Sequence, residues 1–226
     1  NGAFAAEKAE EILNHMNDRL HSSLLPKEVK EKRFQPNVIA YSSIIDCWSK
    51  SGSPNAAMRA KRLLKNMKHS NVQPNVYTYT SALTCYARCN TLDGAVEATK
   101  LLEHMKSESK RTGDVSMRPT IVSYFAVIDA WARSDSEEAG DKAEALLNEL
   151  EEMYRAGDVT MKPDVRVYAR VLAAYAKSSD ASKYKKAALL LRKVEKYALT
   201  GNEKHALTKP NTVCYNTLIS SCARRN

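Results

Sequence analysis

The chain has 226 residues, of which 43% are hydrophobic and 27% charged, a balance typical of a folded globular protein. This composition excludes a disordered or fibrous chain, and no apolar run approaches the roughly 18 residues that a membrane span requires. Lysine and arginine outnumber aspartate and glutamate by 35 to 26, so the net charge of +9 favours a polyanionic partner such as nucleic acid.

The first apolar pattern lies near the N-terminus, where Ala9 is followed by Ile12, Leu13 and Met16. Steps of three and four residues place these side chains on one face of a helix. The same pattern begins again at four later alanines, Ala60, Ala98, Ala143 and Ala187. We therefore predict five amphipathic helices of one kind, each with its alanine where two helices approach closely.

A second pattern starts at the prolines, because five of the seven are followed five residues later by a tyrosine. The pairs are Pro36–Tyr41, Pro74–Tyr79, Pro119–Tyr124, Pro163–Tyr168 and Pro210–Tyr215. Their spacings of 38, 45, 44 and 47 residues are typical of a repeat array. Apolar residues after each proline again have helical spacing, as at Val38, Tyr41, Ile45 and Trp48. A helix is predicted after each proline, where the missing N–H costs little.

Each proline-led first helix pairs with the alanine-led second helix that follows it, and stacked pairs bury apolar faces that one pair cannot. The predicted fold is all-α, an α-solenoid forming a right-handed superhelix of helix-turn-helix repeats, with residues 1–226 as one domain. Full repeats are predicted at 38–75, 76–120, 121–164 and 165–211, and partial repeats at 1–37 and 212–226. Because both ends fall within a repeat, we expect a fragment of a longer solenoid. Extra length is predicted to extend the second helices or to form surface loops.

These patterns resemble the pentatricopeptide repeat family. The resemblance rests on Pro-Asn or Pro-Asp, a Val or Ile, the tyrosine, a Leu/Ile pair and a final Lys or Arg, and on the Ala-x-x-Leu-Leu-x-x-Met second helix. Five copies carry it over nearly the whole chain. The related tetratricopeptide repeat fits less well, because its period is about 34 and it lacks the proline-to-tyrosine register.

The resemblance implies binding of single-stranded RNA, one base per repeat, read by two or three side chains. The implied reader pairs are Ser42 with Asn75, Thr80 with Thr120, Phe125 with Asp164, and Ala169 with Asn211, and Asn37 and Asn216 are half pairs. The implied base-sandwiching residues are Ile39, Tyr77, Val122, Arg166 and Val213.

Only one of the four complete pairs follows the family's pattern. Ser42 and Asn75 resemble its adenine reader, since the amide both donates and accepts hydrogen bonds. Phe125 can stack but cannot form hydrogen bonds, and Ala169 offers no polar side-chain atom. Weak base specificity, and a target that is not a free RNA strand, are both left open.

A basic residue stands nine positions after each tyrosine. The column consists of Lys50, Arg88, Arg133, Lys177 and Arg224. It predicts phosphate contacts along a groove. Positive charge at helix C-termini, which complements the helix dipole, is the alternative interpretation, and the two are compatible.

Other residues that carry chemistry elsewhere have structural interpretations here. The aromatic column of Trp48, Tyr86, Trp131 and Tyr175 shares a face with the tyrosines and is predicted to be core. Five cysteines without a CxxC pair argue against a disulfide framework or a zinc site. With no catalytic motif, we expect no enzyme, cofactor, metal or small-molecule substrate.

Two functions are therefore compared. The first is a single-stranded RNA-binding module for RNA processing, stabilisation or translation in an organelle, in the mitochondrion rather than the plastid. The alternative is a structural scaffold in a large organellar ribonucleoprotein such as the mitochondrial ribosome, contacting other proteins; the off-pattern pairs favour it. A third hypothesis is an accessory array fused to a catalytic domain.

Overall fold

The computed structural model describes residues 2–21, 35–199 and 210–223, and this part of the chain contains ten α-helices and no strand. The helices are α1 (Gly2–His21), α2 (Val38–Lys50), α3 (Ala56–His69), α4 (Val76–Ala87), α5 (Leu92–Thr112), α6 (Ile121–Arg133), α7 (Ala139–Arg155), α8 (Val165–Lys177), α9 (Lys183–Leu199) and α10 (Thr212–Ala223). Two single-turn 3-10 helices, Val115–Met117 and Val159–Met161, follow α5 and α7. The predicted all-α class is confirmed.

The helices form two layers. The first helices α2, α4, α6, α8 and α10 pack on one another in chain order. The second helices α1, α3, α5, α7 and α9 each pack against the first helix that follows them, and all but α1 also pack against the one that precedes them. This stacking is the predicted α-solenoid, and every described first helix begins at the first residue of a predicted unit.

Each first helix begins at a side chain that caps its N-terminus. Asn37 Oδ1 accepts the Ala40 N–H at 3.0 Å, and Asn75 Oδ1 accepts the Thr78 N–H at 3.0 Å. The equivalent N-caps in the later repeats are Thr120, Asp164 and Asn211. The cap accepts a hydrogen bond from a backbone N–H that has no partner inside the helix. The proline before the cap has no N–H of its own that would need a partner. The capping residue therefore determines the residue at which each first helix begins.

The aromatic columns form the core between the two layers. Trp48, Tyr86, Trp131 and Tyr175 are all buried, as predicted. The two tryptophans also reach second helices through their polar atoms: Trp48 Nε1 donates to Glu10 Oε2 at 3.0 Å, and Trp131 Nε1 donates to Thr99 Oγ1 at 3.0 Å. Burial of an indole is favourable when its N–H keeps such a partner. The layers are therefore held together by both apolar packing and specific hydrogen bonds.

The extra length of the middle repeats forms regular structure. After α5 and α7 the chain turns through Gly113 and Gly157, at φ values of +69° and +105°, which glycine adopts without strain. The 3-10 turns that follow each bury a methionine, Met117 and Met161. The two connections thus share one structure that returns the chain to the next proline.

Gly140 provides a test of the packing between α7 and α8. A Cβ at Gly140 would lie 2.7 Å from Cγ of Tyr175 and closer still to other ring atoms. We expect Gly140→Ala to lower the free energy of unfolding by about 1–3 kcal/mol, because the buried ring must shift. Chemical denaturation followed by circular dichroism measures it. Lys142→Ala, exposed on the same helix, should change stability by less than about 0.5 kcal/mol. Equal losses in both variants would contradict the close approach.

Candidate nucleic-acid interface

A row of exposed side chains follows the layer of first helices, at the second residue of each helix. The row consists of Ile39, Tyr77, Val122, Arg166 and Val213. Its four apolar members are between 56% and 70% exposed, although most other apolar residues of these helices are buried or half-buried. These are all the residues that the family resemblance assigns to base sandwiching. Such a row can pack against flat ligand groups.

The first reader pair is connected through a third residue. Ser42 Oγ lies 2.7 Å from Thr78 Oγ1, and Thr78 Oγ1 donates to Asn75 Oδ1 at 3.0 Å. Because the single Thr78 proton goes to Asn75, Ser42 is the donor to Thr78. Ser42 is buried by this contact. The Asn75 oxygen therefore serves the helix, and its Nδ2 donor is the group that remains for a ligand.

The second pair repeats this arrangement. Thr80 Oγ1 lies 2.9 Å from Ser123 Oγ, and the backbone N–H of Thr120 donates to Ser123 Oγ at 3.3 Å. The structure thus brings Thr80 and Thr120 together through Ser123. Neither Thr78 nor Ser123 was identified as a functional residue from the sequence. The available signal was a hydroxyl three residues after the N-cap, which is typical of a capping box.

The third pair lines a small cavity between α6 and α8. The cavity, of about 110 Å³, is bounded by Ile121, Val122, Phe125, Asp164, Arg166 and Val167. Four of these are predicted site residues, two readers and two sandwiching residues. The structure therefore brings the complete predicted set of this repeat to one place.

Asp164 is held in its charged form at this cavity. Burial raises its pKa, but hydrogen bonds from the Arg166 side chain and the Val167 and Arg166 backbone outweigh burial, so the pKa lies below its usual range. Oδ1 caps the helix by accepting the Val167 N–H at 3.2 Å, and Oδ2 accepts Arg166 Nε at 2.7 Å. Both carboxylate oxygens thus have partners within the chain.

The fourth pair is placed differently. Ala169 is half-buried against the core, whereas Asn211 is exposed and its Oδ1 accepts the Cys214 N–H at 3.2 Å. No polar bridge joins the two residues in the described part of the chain. Of the half pairs, Asn37 and Asn216 are both exposed.

The basic column lies at the C-terminal ends of the first helices. Lys50 Nζ lies 2.5 Å from Asp46 Oδ2, which raises the pKa of Lys50, and Arg133 Nε lies 2.8 Å from Asp129 Oδ2. Two members of the column are therefore partly neutralised by a carboxylate one turn earlier.

The other three members of the column differ from these two. The guanidinium of Arg88 donates to the backbone carbonyl of Ser49 in the preceding repeat. Lys177 is exposed and makes no ion pair within the described residues. Arg224 lies outside the described residues.

The sequence reasoning did not identify Arg170, which adds positive charge next to the column. Its Nε lies 3.0 Å from Oδ1 of Asp129, so Asp129 is held between Arg133 and Arg170 from neighbouring helices. Arg170 directly follows Ala169 in the sequence, but no repeated spacing marks it.

Within the described ranges, no group of three or more His, Cys, Asp or Glu could hold a metal ion. No described helix has the length and hydropathy to cross a membrane.

Comparison with known proteins agrees with this architecture. Residues 36–88 match the model of the PPR repeat family. The pentatricopeptide repeat protein PPR10 from maize has a similar structure, with a TM-score of 0.58 at 24% identity over 88% of this chain. PPR10 in complex with an 18-nt psaJ RNA element is similar with a TM-score of 0.55 at 22% identity, again over 88% of this chain. No curated protein matches the chain significantly.

The fold and the row of capped first helices define this chain as a helical-hairpin repeat protein. The resemblance to the pentatricopeptide repeat family drawn from the sequence is confirmed, and the family model matches residues 36–88. The part of this chain that aligns with the PPR10 structure covers 24% of the length of the PPR10 chain.

The bridge through Thr78 can be tested by removing its hydroxyl. Thr78→Val keeps the shape of the side chain but leaves the buried Ser42 hydroxyl without its partner and removes the hydrogen bonds to Asn75, so stability should fall by about 1–3 kcal/mol. Denaturant unfolding measures the change. The matched control is Thr84→Val in the same helix, whose hydroxyl donates to the Thr80 carbonyl one turn back. If the control loses as much stability as Thr78→Val, the bridge between repeats has no special weight.

Proposed function

We propose that this chain is an RNA-binding repeat module that holds single-stranded RNA along the layer of first helices. The observation that carries the proposal is the exposed apolar row at the second helical position, two residues after each capping side chain. Stacking of bases on such side chains contributes about 1–3 kcal/mol per base. The bound RNA of the similar PPR10 complex supports the same ligand class.

The basic column and the net charge of +9 support a polyanionic ligand. We assign phosphate contact to Lys50, Arg88, Arg133, Lys177 and Arg224 as part of this proposal. Because two of them are already paired with Asp46 and Asp129, Lys177 is the described member whose charge is most available to a phosphate.

Base specificity is proposed to be partial. Asn75 presents its Nδ2 donor, so the first pair favours a base edge that offers an acceptor. Asp164 is occupied by Arg166, and Ala169 has no polar atom, so the later pairs contribute stacking and charge rather than base reading. RNA processing, stabilisation or translation in an organelle are the tasks that the family resemblance implies for such a module.

The stacking role of the row is tested at Tyr77, which is 64% exposed. We expect Tyr77→Ala to weaken binding of a labelled single-stranded RNA by about 1–3 kcal/mol, through loss of one stacked base. Fluorescence anisotropy measures the affinity. The control is Met58→Ala on α3, which removes a side chain of 62% exposure from the second-helix layer. Equal affinities for Tyr77→Ala and the parent chain would exclude this row as the stacking surface.

The phosphate role is tested by the salt dependence of RNA binding. Five phosphate contacts predict a slope of about −3.5 for log K against log salt, and Lys177→Gln should make that slope shallower by about 0.7. If Lys177 acts on the helix dipole instead, the slope stays unchanged and stability falls by about 0.3–1 kcal/mol. Lys185→Gln, another exposed lysine, is the control for the loss of one charge. A flat slope for the parent chain would contradict RNA binding through phosphates.

A scaffold function is the second candidate, favoured by the engagement of both Asp164 oxygens within the chain. In that case the solenoid would hold structured RNA or proteins without reading a base sequence. Sedimentation of a cell extract distinguishes the two: co-migration with a ribosomal particle supports the scaffold, and a small RNA-bound species supports the single-strand binder.

A further inference from the structure

Among the described residues, the tyrosines five positions after the prolines and the aromatic column of Trp48 have polar partners on the second-helix side in every repeat except one. All of these side chains are buried except Tyr215, which is 40% exposed. Tyr124, Tyr168 and Tyr215 donate to Glu149, Glu151 and Glu195 at 3.1, 3.0 and 2.6 Å. Tyr41 contacts Ser70, Trp48 and Trp131 donate to Glu10 and Thr99, and Tyr175 donates to Asp141. Carboxylates are the commonest of these partners.

The second repeat lacks such a partner. Tyr79 is 2% exposed and Tyr86 is 6% exposed, yet neither hydroxyl has a hydrogen bond from any described residue. Burial raises the pKa of Tyr86 to about 12 and raises the pKa of Tyr79, so both phenols are protonated donors at neutral pH. Neither hydroxyl oxygen is shut off from solvent, so both are accessible donors for an acceptor on a ligand.

Both phenols line one open cleft of about 300 Å³ between α3 and α5. Leu64 and Leu101 add apolar surface to it, and Lys61, Lys65, Lys68, Lys100, Glu97 and His104 supply the rest of the lining. The cleft thus combines an apolar floor, two unused donors and a cationic rim.

The rim is strongly positive. Glu97 is held by Lys61 at 2.8 Å and by Lys100 at 3.0 Å, so one carboxylate is shared by two lysines. Lys65 and Lys68 are exposed and have no ion pair among the described residues. Glu108, whose charge adds to burial in raising the pKa of Tyr79, is bound by Arg111 at 2.7 Å. The excess positive charge selects an anionic occupant.

We propose that this cleft is a docking site for an acidic segment of a partner protein, with a carboxylate on the Tyr79 and Tyr86 hydroxyls and an apolar side chain against Leu64 and Leu101. The chain itself supplies the model for this contact, because glutamates from second helices occupy the equivalent phenols in the later repeats. Apart from the two phenols on α4, the site is lined by second-helix residues, and it includes no residue of the proposed RNA-binding row.

The test uses the whole chain and a labelled dodecapeptide that alternates Glu and Leu, with fluorescence anisotropy as the readout. We expect saturable binding, and none for the Gln/Leu counterpart. The double variant Tyr79→Phe/Tyr86→Phe should lose about tenfold in affinity without loss of stability, because it removes only hydroxyls that have no internal partner. A drop in its stability would show that the hydroxyls are satisfied internally and would overturn the proposal.

Charge is tested by Lys65→Gln/Lys68→Gln, which should also lose about tenfold, against the control Lys185→Gln/Lys196→Gln, which removes two exposed lysines from α9. The two lysine double variants, Lys65→Gln/Lys68→Gln and Lys185→Gln/Lys196→Gln, should bind RNA with the same affinity. No binding of the Glu/Leu peptide, or equal binding by all variants, would reject the site. If RNA displaces the peptide and Lys65→Gln/Lys68→Gln weakens RNA binding by the same factor, the cleft takes phosphate instead. Peptide binding without any RNA binding would reject only the RNA proposal.

Discussion

The hydrogen bond between each N-cap side chain and the start of its first helix determines the position of nearly every other group. In α4, Asn75 Oδ1 holds the Thr78 N–H, and Pro74 directly before it cannot extend the helix backwards. With the helix start fixed, the second residue faces outwards and the fourth, Tyr79, faces the core. A shift of one residue would rotate the helix by about 100° and exchange these roles. The cap therefore sets the register of the fold and of the candidate interface together.

This double use restricts the chemistry that each repeat can offer to a ligand. One oxygen of the cap belongs to the helix, so an asparagine has only its amide donors left. An aspartate retains a second oxygen, but at Asp164 that oxygen is held by Arg166 at 2.7 Å. A threonine cap, as at Thr120, has a single side-chain oxygen both for the helix and for a ligand. The proposed base-reading capacity of a repeat is thus what remains after the cap is satisfied, and it differs along this chain.

The sequence was sufficient to predict the helix pairs, their order and the core aromatics, because these depend on local spacing: the proline, the tyrosine and the apolar periodicity all act within one helix. The family resemblance also paired Phe125 with Asp164 and assigned Val122 and Arg166 to base sandwiching, and all four residues line the cavity between α6 and α8. The bridges through Thr78 and Ser123 were not predicted, because they depend on the distance between neighbouring helices. The Arg170–Asp129 contact joins two repeats without any repeated spacing and could not be found in the same way.

The two layers of the solenoid differ in how far a repeat can change without affecting its neighbours. A first helix contacts other first helices on both sides, so its register is shared along the array. The partner of a buried phenol, in contrast, is a single side chain on an adjacent second helix, such as Glu149 for Tyr124. In a repeat protein, stability is close to a sum of local terms, so loss of one such partner leaves distant repeats intact. Tyr79 and Tyr86 show this freedom, because their repeat keeps the common backbone while the carboxylate is absent. Variation in the second-helix layer can therefore create a binding cleft in one repeat while the row of capped first helices continues through it unchanged.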